Sequence, residues 1–155
     1  MNNNEQETKQ LEEKVLEIRR VSKKTEGGNR FRFTALVVVG NRHGRVGYAM
    51  GKATGVRESI EKATAKAQKK LTDVPMKGST IPFPVEVKEG AAELLLKPAP
   101  EGTGIALGGA TRVVADLAGI DDITGKILGT RNKYSNVLAM FKAFEKMKKL
   151  EDKYK

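Results

Sequence analysis

Arg30-Phe31-Arg32-Phe33-Thr34-Ala35-Leu36-Val37-Val38-Val39-Gly40 alternates basic and aromatic residues and then turns apolar without a break. A period of two is the period of a strand. Phe31, Phe33, Ala35, Val37 and Val39 line one face, and Arg30 and Arg32 begin the other. Such a strand ties a core at one end to a charged surface at the other. Upstream, from about Leu11, Leu16, Ile18 and Val21 punctuate a charged stretch that also reads as a strand. Gly27-Gly28 between the two marks a hairpin or a projecting loop. Downstream, Gly40-Asn41-Arg42-His43-Gly44 is a turn, and Arg45 to Met50 is a third short strand. Its Gly47 and the following Gly51 permit close backbone approach. Val56, Ile60, Ala63, Ala67 and Leu71 then recur at three and four residues, the spacing of an amphipathic helix. Thr54 is the expected N-cap, and Lys69 and Lys70 suit the last turn. The first half therefore reads β-β-β-α.

The stretch from Thr72 to Pro84 holds Pro75, Gly78, Pro82 and Pro84 and reads as a linker. Beyond it come short strands at Val85–Val87 and Ala92–Lys97, then the glycine-rich run Gly102-Thr103-Gly104 and Gly108-Gly109. A helix from about Ala110 carries Val113, Val114 and Leu117 inward and stops at Gly119. Ile123 to Leu128 is a further strand. Ser135 is the expected cap of a last helix with Val137, Leu138, Phe141 and Phe144 inward. The expected layout is a disordered tail at 1–10, one domain at 11–74, a linker with the first strand region of the second half at 75–84, a second domain at 85–148 and a basic tail at 149–155. The fold class is α+β.

Charge is concentrated. Between Arg19 and Lys52 stand nine cations (Arg19, Arg20, Lys23, Lys24, Arg30, Arg32, Arg42, Arg45 and Lys52) against the single acid Glu26. That segment is +8 in a chain of net charge +10. Clustering of one sign points to a polyanion. The chain has no cysteine, which removes disulfides, thiolate metal sites and cysteine nucleophiles together. Met1-Asn2-Asn3-Asn4-Glu5-Gln6 lacks the apolar stretch of a signal peptide, and no apolar run approaches the roughly 20 residues of a membrane helix. The expectation is a cytoplasmic protein with no membrane partner, no cofactor and no metal.

Three motifs invite chemistry. Gly44 to Lys52 looks like a phosphate-binding loop, but Ala53 stands where a hydroxyl must follow the lysine and Val46 where a glycine must stand. Gly102, Gly104, Gly108 and Gly109 lie between a strand and a helix, where free amides attract phosphate. Leu107 occupies the position of the third dinucleotide-binding glycine. Turn geometry, RNA phosphate contact and nucleotide binding remain open for this loop. His43 is the only histidine, which leaves no Ser-His-Asp set and places a solvated or phosphate-adjacent imidazole in a basic turn. A turn or cap accounts for Asp121-Asp122.

Phe33 to Gly40, Gly44-Arg45-Val46-Gly47 and Gly51-Lys52-Ala53 resemble the bacterial small-subunit ribosomal protein S-five family. So do Pro98-Ala99, Glu101 to Ile105, Gly108-Gly109-Ala110 with Arg112, and Lys126, Gly129, Asn132 and Asn136-Val137. The resemblance spans about Leu11 to Phe144, in order. It implies a domain like a double-stranded-RNA-binding domain, followed by a small β-α-β-α domain with a left-handed crossover. It implies a non-enzymatic protein that binds small-subunit ribosomal RNA, supports assembly, touches ribosomal proteins four and eight, lines the side where messenger RNA enters and influences accuracy. An obligate homo-oligomer is not implied. The RNA contacts expected are Arg19, Arg20, Lys23, Lys24, Arg30, Arg32, Arg42, His43, Arg45, Lys52, Arg112, Lys126, Arg131 and Lys133. The family's projecting loop near the spectinomycin site falls on Val21, Ser22, Lys23, Lys24, Gly27 and Gly28. Many relatives carry a proline soon after Asn132; here Lys133-Tyr134-Ser135 follows, and Arg131 and Lys133 stand in as contacts. The rival readings are an enzyme cradling a nucleotide at Gly102–Gly109 and a free regulatory binder of double-stranded RNA.

Overall fold

The computed structural model describes residues 11–153, apart from the side chains of Lys23, Thr25 and Asn29. The tail expected at 1–10 and residues 154–155 lie outside the described residues. Strands β1 (Glu12–Thr25), β2 (Gly28–Gly40) and β3 (Arg45–Ala53) precede helix α1 (Val56–Gln68). With β4 (Thr72–Asp73) they form a sheet ordered β1-β2-β3-β4. Of the hairpin and the projecting loop that Gly27-Gly28 left open, the structure forms the hairpin, whose end is the segment Val21 to Gly28. β1 runs on to Thr25, and only Glu26 and Gly27 form the turn. Gly28, at φ 121°, opens the return strand.

The contact between α1 and the sheet is made by small residues. Ser59, Ala63 and Ala67, four apart on one helix face, are fully buried. Beneath them lie Gly51 and Gly47 of β3. A Cβ on Gly51 would strike the Ser59 carbonyl and the Ala63 amide nitrogen, and one on Gly47 the Ala67 carbonyl. Eight helical residues rise about 12 Å and four strand residues about 13 Å, so the two small-residue rows stay in step. Ala35, Val37, Val39 and Ala49 complete this core, with Ile60 and Leu71 at its rim. Two expectations fail here. Gly55, not Thr54, occupies the N-cap position. Thr54 lies one residue too early for its hydroxyl to reach the first free amides. Val56 is 38% exposed, because the helix face turned to the sheet is centred on Ser59.

The stretch read as a linker is ordered. β4 pairs antiparallel with the start of β3, Arg45 opposite Asp73 and Val46 opposite Thr72. Val74 and Ile81 are buried. After it come β5 (Val85–Glu89), β6 (Ala92–Pro98), β7 (Ile105–Ala106), helix α2 (Gly109–Ala118), β8 (Ile123–Gly129) and helix α3 (Lys133–Lys153). The second sheet is ordered β5-β6-β8-β7. β6 is antiparallel to both β5 and β8. β7 is parallel to β8, so α2 is the crossover between them. β7 has only two residues and no alternation to announce it. Val85, Val87, Ala92, Leu94, Leu96 and Ile123 are buried, and β5 and β6 lie beneath α3. Each fully buried valine, leucine or isoleucine among them contributes about 1.5–3 kcal/mol.

Helix α2 ends at Gly119, which takes φ 89° as its C-cap, as the sequence suggests. The start of α3 differs from expectation: Asn132, not Ser135, is the cap. Its Oδ1 accepts from the Ser135 amide at 3.0 Å, two residues inside the helix that begins at Lys133. The buried stripe of α3 runs Val137, Met140, Phe144 and Met147, while Leu138 and Phe141 are only partly covered. Residues 149–153, expected as tail, continue the helix. Lys142 and Lys146 of α3 donate to the carbonyls of Lys88 and Glu86, both at 2.9 Å, and so cover the outer edge of β5.

By its contacts the chain divides into two compact units. One comprises the residues up to Val39 with Gly47–Leu71. The other comprises Gly40–Val46 with everything from Thr72 onward. The β2–β3 turn thus belongs with the second unit.

Candidate nucleic-acid interface

In the first unit the cations ride on the β1–β2 hairpin. Alternation places Arg30 and Arg32 on one face of β2 and Phe31 on the other. The Arg20 guanidinium lies over the Phe31 ring, 4.7 Å from its centroid. Arg20 therefore shares the Phe31 face, and its neighbour Arg19 takes the opposite one. Arg19 is 58% exposed and paired at 2.9 Å with Glu17 on its own strand. Arg20, Lys24, Arg30, Arg32 and Lys52 are exposed. Lys23 lies outside the described side chains. The clustered charge thus lies on both faces of a two-stranded ribbon. A ribbon one hairpin wide has no interior to separate them.

Two of the expected contacts pair with carboxylates distant in the chain. Arg42 Nη1 donates to Asp116 Oδ1 at 2.7 Å, each side chain 38% exposed. Its backbone amide donates to the Leu117 carbonyl and that of Gly44 to the Ala118 carbonyl, so the turn caps the C-terminus of α2. Arg42 takes φ 59° to do so. A cation at a helix C-terminus is favoured there in any case. Arg45 Nε meets Asp73 Oδ1 at 3.1 Å across the β3–β4 pair. His43 is exposed, its amide held by Asn41 Oδ1 at 2.8 Å. The sequence signal for these pairings is weak, since Asp73 and Asp116 are distant in the chain.

In the second unit Arg112, Lys126, Arg131 and Lys133 are exposed. Arg112 Nη1 donates to the Ile105 carbonyl at 3.1 Å. The glycine-rich loop has a different occupant from the one its amides suggested. Asp122, 3% exposed, accepts from the amides of Gly102 at 3.1 Å and Gly104 at 2.9 Å through one oxygen, Oδ1. The Ser79 hydroxyl above all, and then the Gly104 amide, hold the Asp122 carboxyl below the ordinary value of 3.8, against burial, which pushes it up. Gly102 and Gly104 adopt φ 92° and 80°, which a side chain disfavours. The Gly102 and Gly104 amides thus bind the protein's own buried carboxylate, while Gly108 and Gly109 are exposed at the start of α2. A nucleotide phosphate at Gly102 and Gly104 would meet like charge. Asp122, read from sequence as a plain turn residue, is the organiser of the loop.

Two family matches span the described fold: ribosomal protein S5, N-terminal domain, over residues 11–75, and ribosomal protein S5, C-terminal domain, over residues 87–155. The first covers the sheet that carries the basic hairpin, and the second covers the β-α-β-α arrangement around α2 and α3. With both halves matched in order, this chain belongs to the ribosomal protein S5 family, whose members are structural, rRNA-binding components of the ribosome rather than enzymes.

Proposed function

We propose that this protein is a structural constituent of the small ribosomal subunit that grips small-subunit ribosomal RNA chiefly through the β1–β2 hairpin. The observation that carries the reading is the exposure of Arg20, Lys24, Arg30 and Arg32 on a ribbon that extends past its own core. Guanidinium groups grip phosphate with paired hydrogen bonds. Paired RNA hides its base edges in a deep groove, so phosphate position and helix shape supply most of the specificity. In this reading the protein supports subunit assembly, neighbours ribosomal proteins four and eight, lines the side where messenger RNA enters and influences decoding accuracy in the cytoplasm. The hairpin end at Val21–Gly28 lies near the spectinomycin site. The exposed Arg112, Lys126, Arg131 and Lys133 add contacts from the second unit.

Sedimentation of a cell extract tests this. The protein travels with small subunits and stays with them through a moderate salt wash. Recovery at the top of the gradient, bound to free duplex RNA, would favour a regulatory RNA binder and defeat the ribosomal assignment.

A further inference from the structure

β2 and α1 have thirteen residues each. A strand of that length spans about 43 Å and a helix about 20 Å, so the helix cannot cover the strand. Burial follows this mismatch. On the face turned to α1, Ala35, Val37 and Val39 are fully buried, whereas Phe31, on the same face, is 47% exposed. Its ring is not left to water alone, because the Arg20 guanidinium sits over it at 4.7 Å. Both side chains are exposed, on a ribbon that also carries Lys24, Arg30 and Arg32.

We propose that the Phe31–Arg20 pair is a stacking platform for an unpaired base of the bound RNA. This rests on the RNA-binding reading above and goes beyond it. A continuous helix offers phosphates to the ribbon but no base face to a ring. A bulged or single-stranded nucleotide offers both. A guanidinium held over an aromatic ring is a π surface with positive charge, suited to a base attached to a phosphate. An apolar protein partner would have to strip water from Arg20, Arg30 and Arg32 to reach the same ring, with no compensating charge. The flanking cations therefore select nucleic acid as the occupant, and the exposed ring selects a nucleotide outside the helical stack.

The test uses the full chain and two RNA hairpins of the same duplex sequence, one fully paired and one with a single bulged 2-aminopurine. The wild type quenches the 2-aminopurine fluorescence and binds the bulged RNA about 5- to 100-fold more tightly than the paired one. Phe31→Leu keeps an apolar side chain on the strand but has no π face. It abolishes quenching and the preference while leaving the salt dependence of binding unchanged. Arg20→Lys keeps the charge, lacks the planar group, and weakens the preference at the same salt dependence. Retention of quenching and preference in Phe31→Leu would overturn the platform while leaving RNA binding intact. Failure of the wild type to bind either RNA, or binding insensitive to salt, would overturn the RNA-binding reading itself.

Discussion

At the scale of single residues, the same side-chain type has different work in different places. Arg30 and Arg42 are both arginines of the basic segment, yet Arg30 is exposed on the ribbon and Arg42 is bonded to Asp116. Arg30→Gln should reduce the slope of log affinity against log salt by about one, the share of a single phosphate contact. Arg42→Gln should leave that slope unchanged and cost at most about 1 kcal/mol of stability, because its ion pair is more than a third exposed. Salt titrations of both variants on one duplex RNA decide it, and equal slope changes would return Arg42 to the interface. Asp122 carries a different consequence. Its folded pKa is depressed, so its stabilising contribution is complete above the ordinary value of 3.8 and is lost as pH falls through the lower folded value. Asp122→Asn should therefore melt below the wild type at about pH 7, with the gap closing towards about pH 2. A gap of constant size in thermal melts across that range would show that the charge of Asp122 is not what holds Gly102 and Gly104.

Among the elements, β3 and α1 are joined by what their side chains lack. Gly47 and Gly51 lie under Ala67, Ala63 and Ser59 with no room for a methyl group. Gly51→Ala should destabilise by about 1–3 kcal/mol, because the new Cβ meets main-chain atoms that cannot rotate away. Chemical denaturation monitored by circular dichroism measures this, and a loss under about 0.5 kcal/mol would mean that α1 rides farther from the sheet than described. The consequence reaches the interface, since α1 and the sheet hold the base of the hairpin that carries Arg20, Arg30 and Arg32. The helix is too short to cover the hairpin, and that shortfall is what leaves Phe31 in solvent.

For the whole molecule, charge distribution sets the binding behaviour. Of a net charge of +10, the segment from Arg19 to Lys52 holds nine cations against one acid. If about five or six phosphates are engaged, log affinity for duplex RNA should fall by roughly four to five units per tenfold rise in salt. Filter binding or fluorescence anisotropy across a salt series reads this directly. A flat response would remove phosphate contact from the account of function. Two cations of the segment are spent inside the second unit, on Asp116 and Asp73, so engagement of all nine is not expected.

The chain's own pattern determined the fold class, the β-β-β-α first half, the close approach at Gly47 and Gly51, the Gly119 stop and the location of the basic segment. These rest on local periodicity and on glycine's missing side chain, which neighbouring residues suffice to express. Local pattern misjudged helix starts at Thr54 and Ser135 by one and three positions, since a cap depends on where the first turn closes. It missed β4 and β7, two-residue strands that exist only because a longer strand stands beside them. It located the cluster of cations but not the pleat that distributes its arginines to both sides of a ribbon. Only the tertiary structure decided that Arg42 and Arg45 meet Asp116 and Asp73, and that Asp122 fills the amide cradle of Gly102 and Gly104. Each of these depends on groups brought together from distant parts of the chain, and sequence spacing carries no record of such encounters.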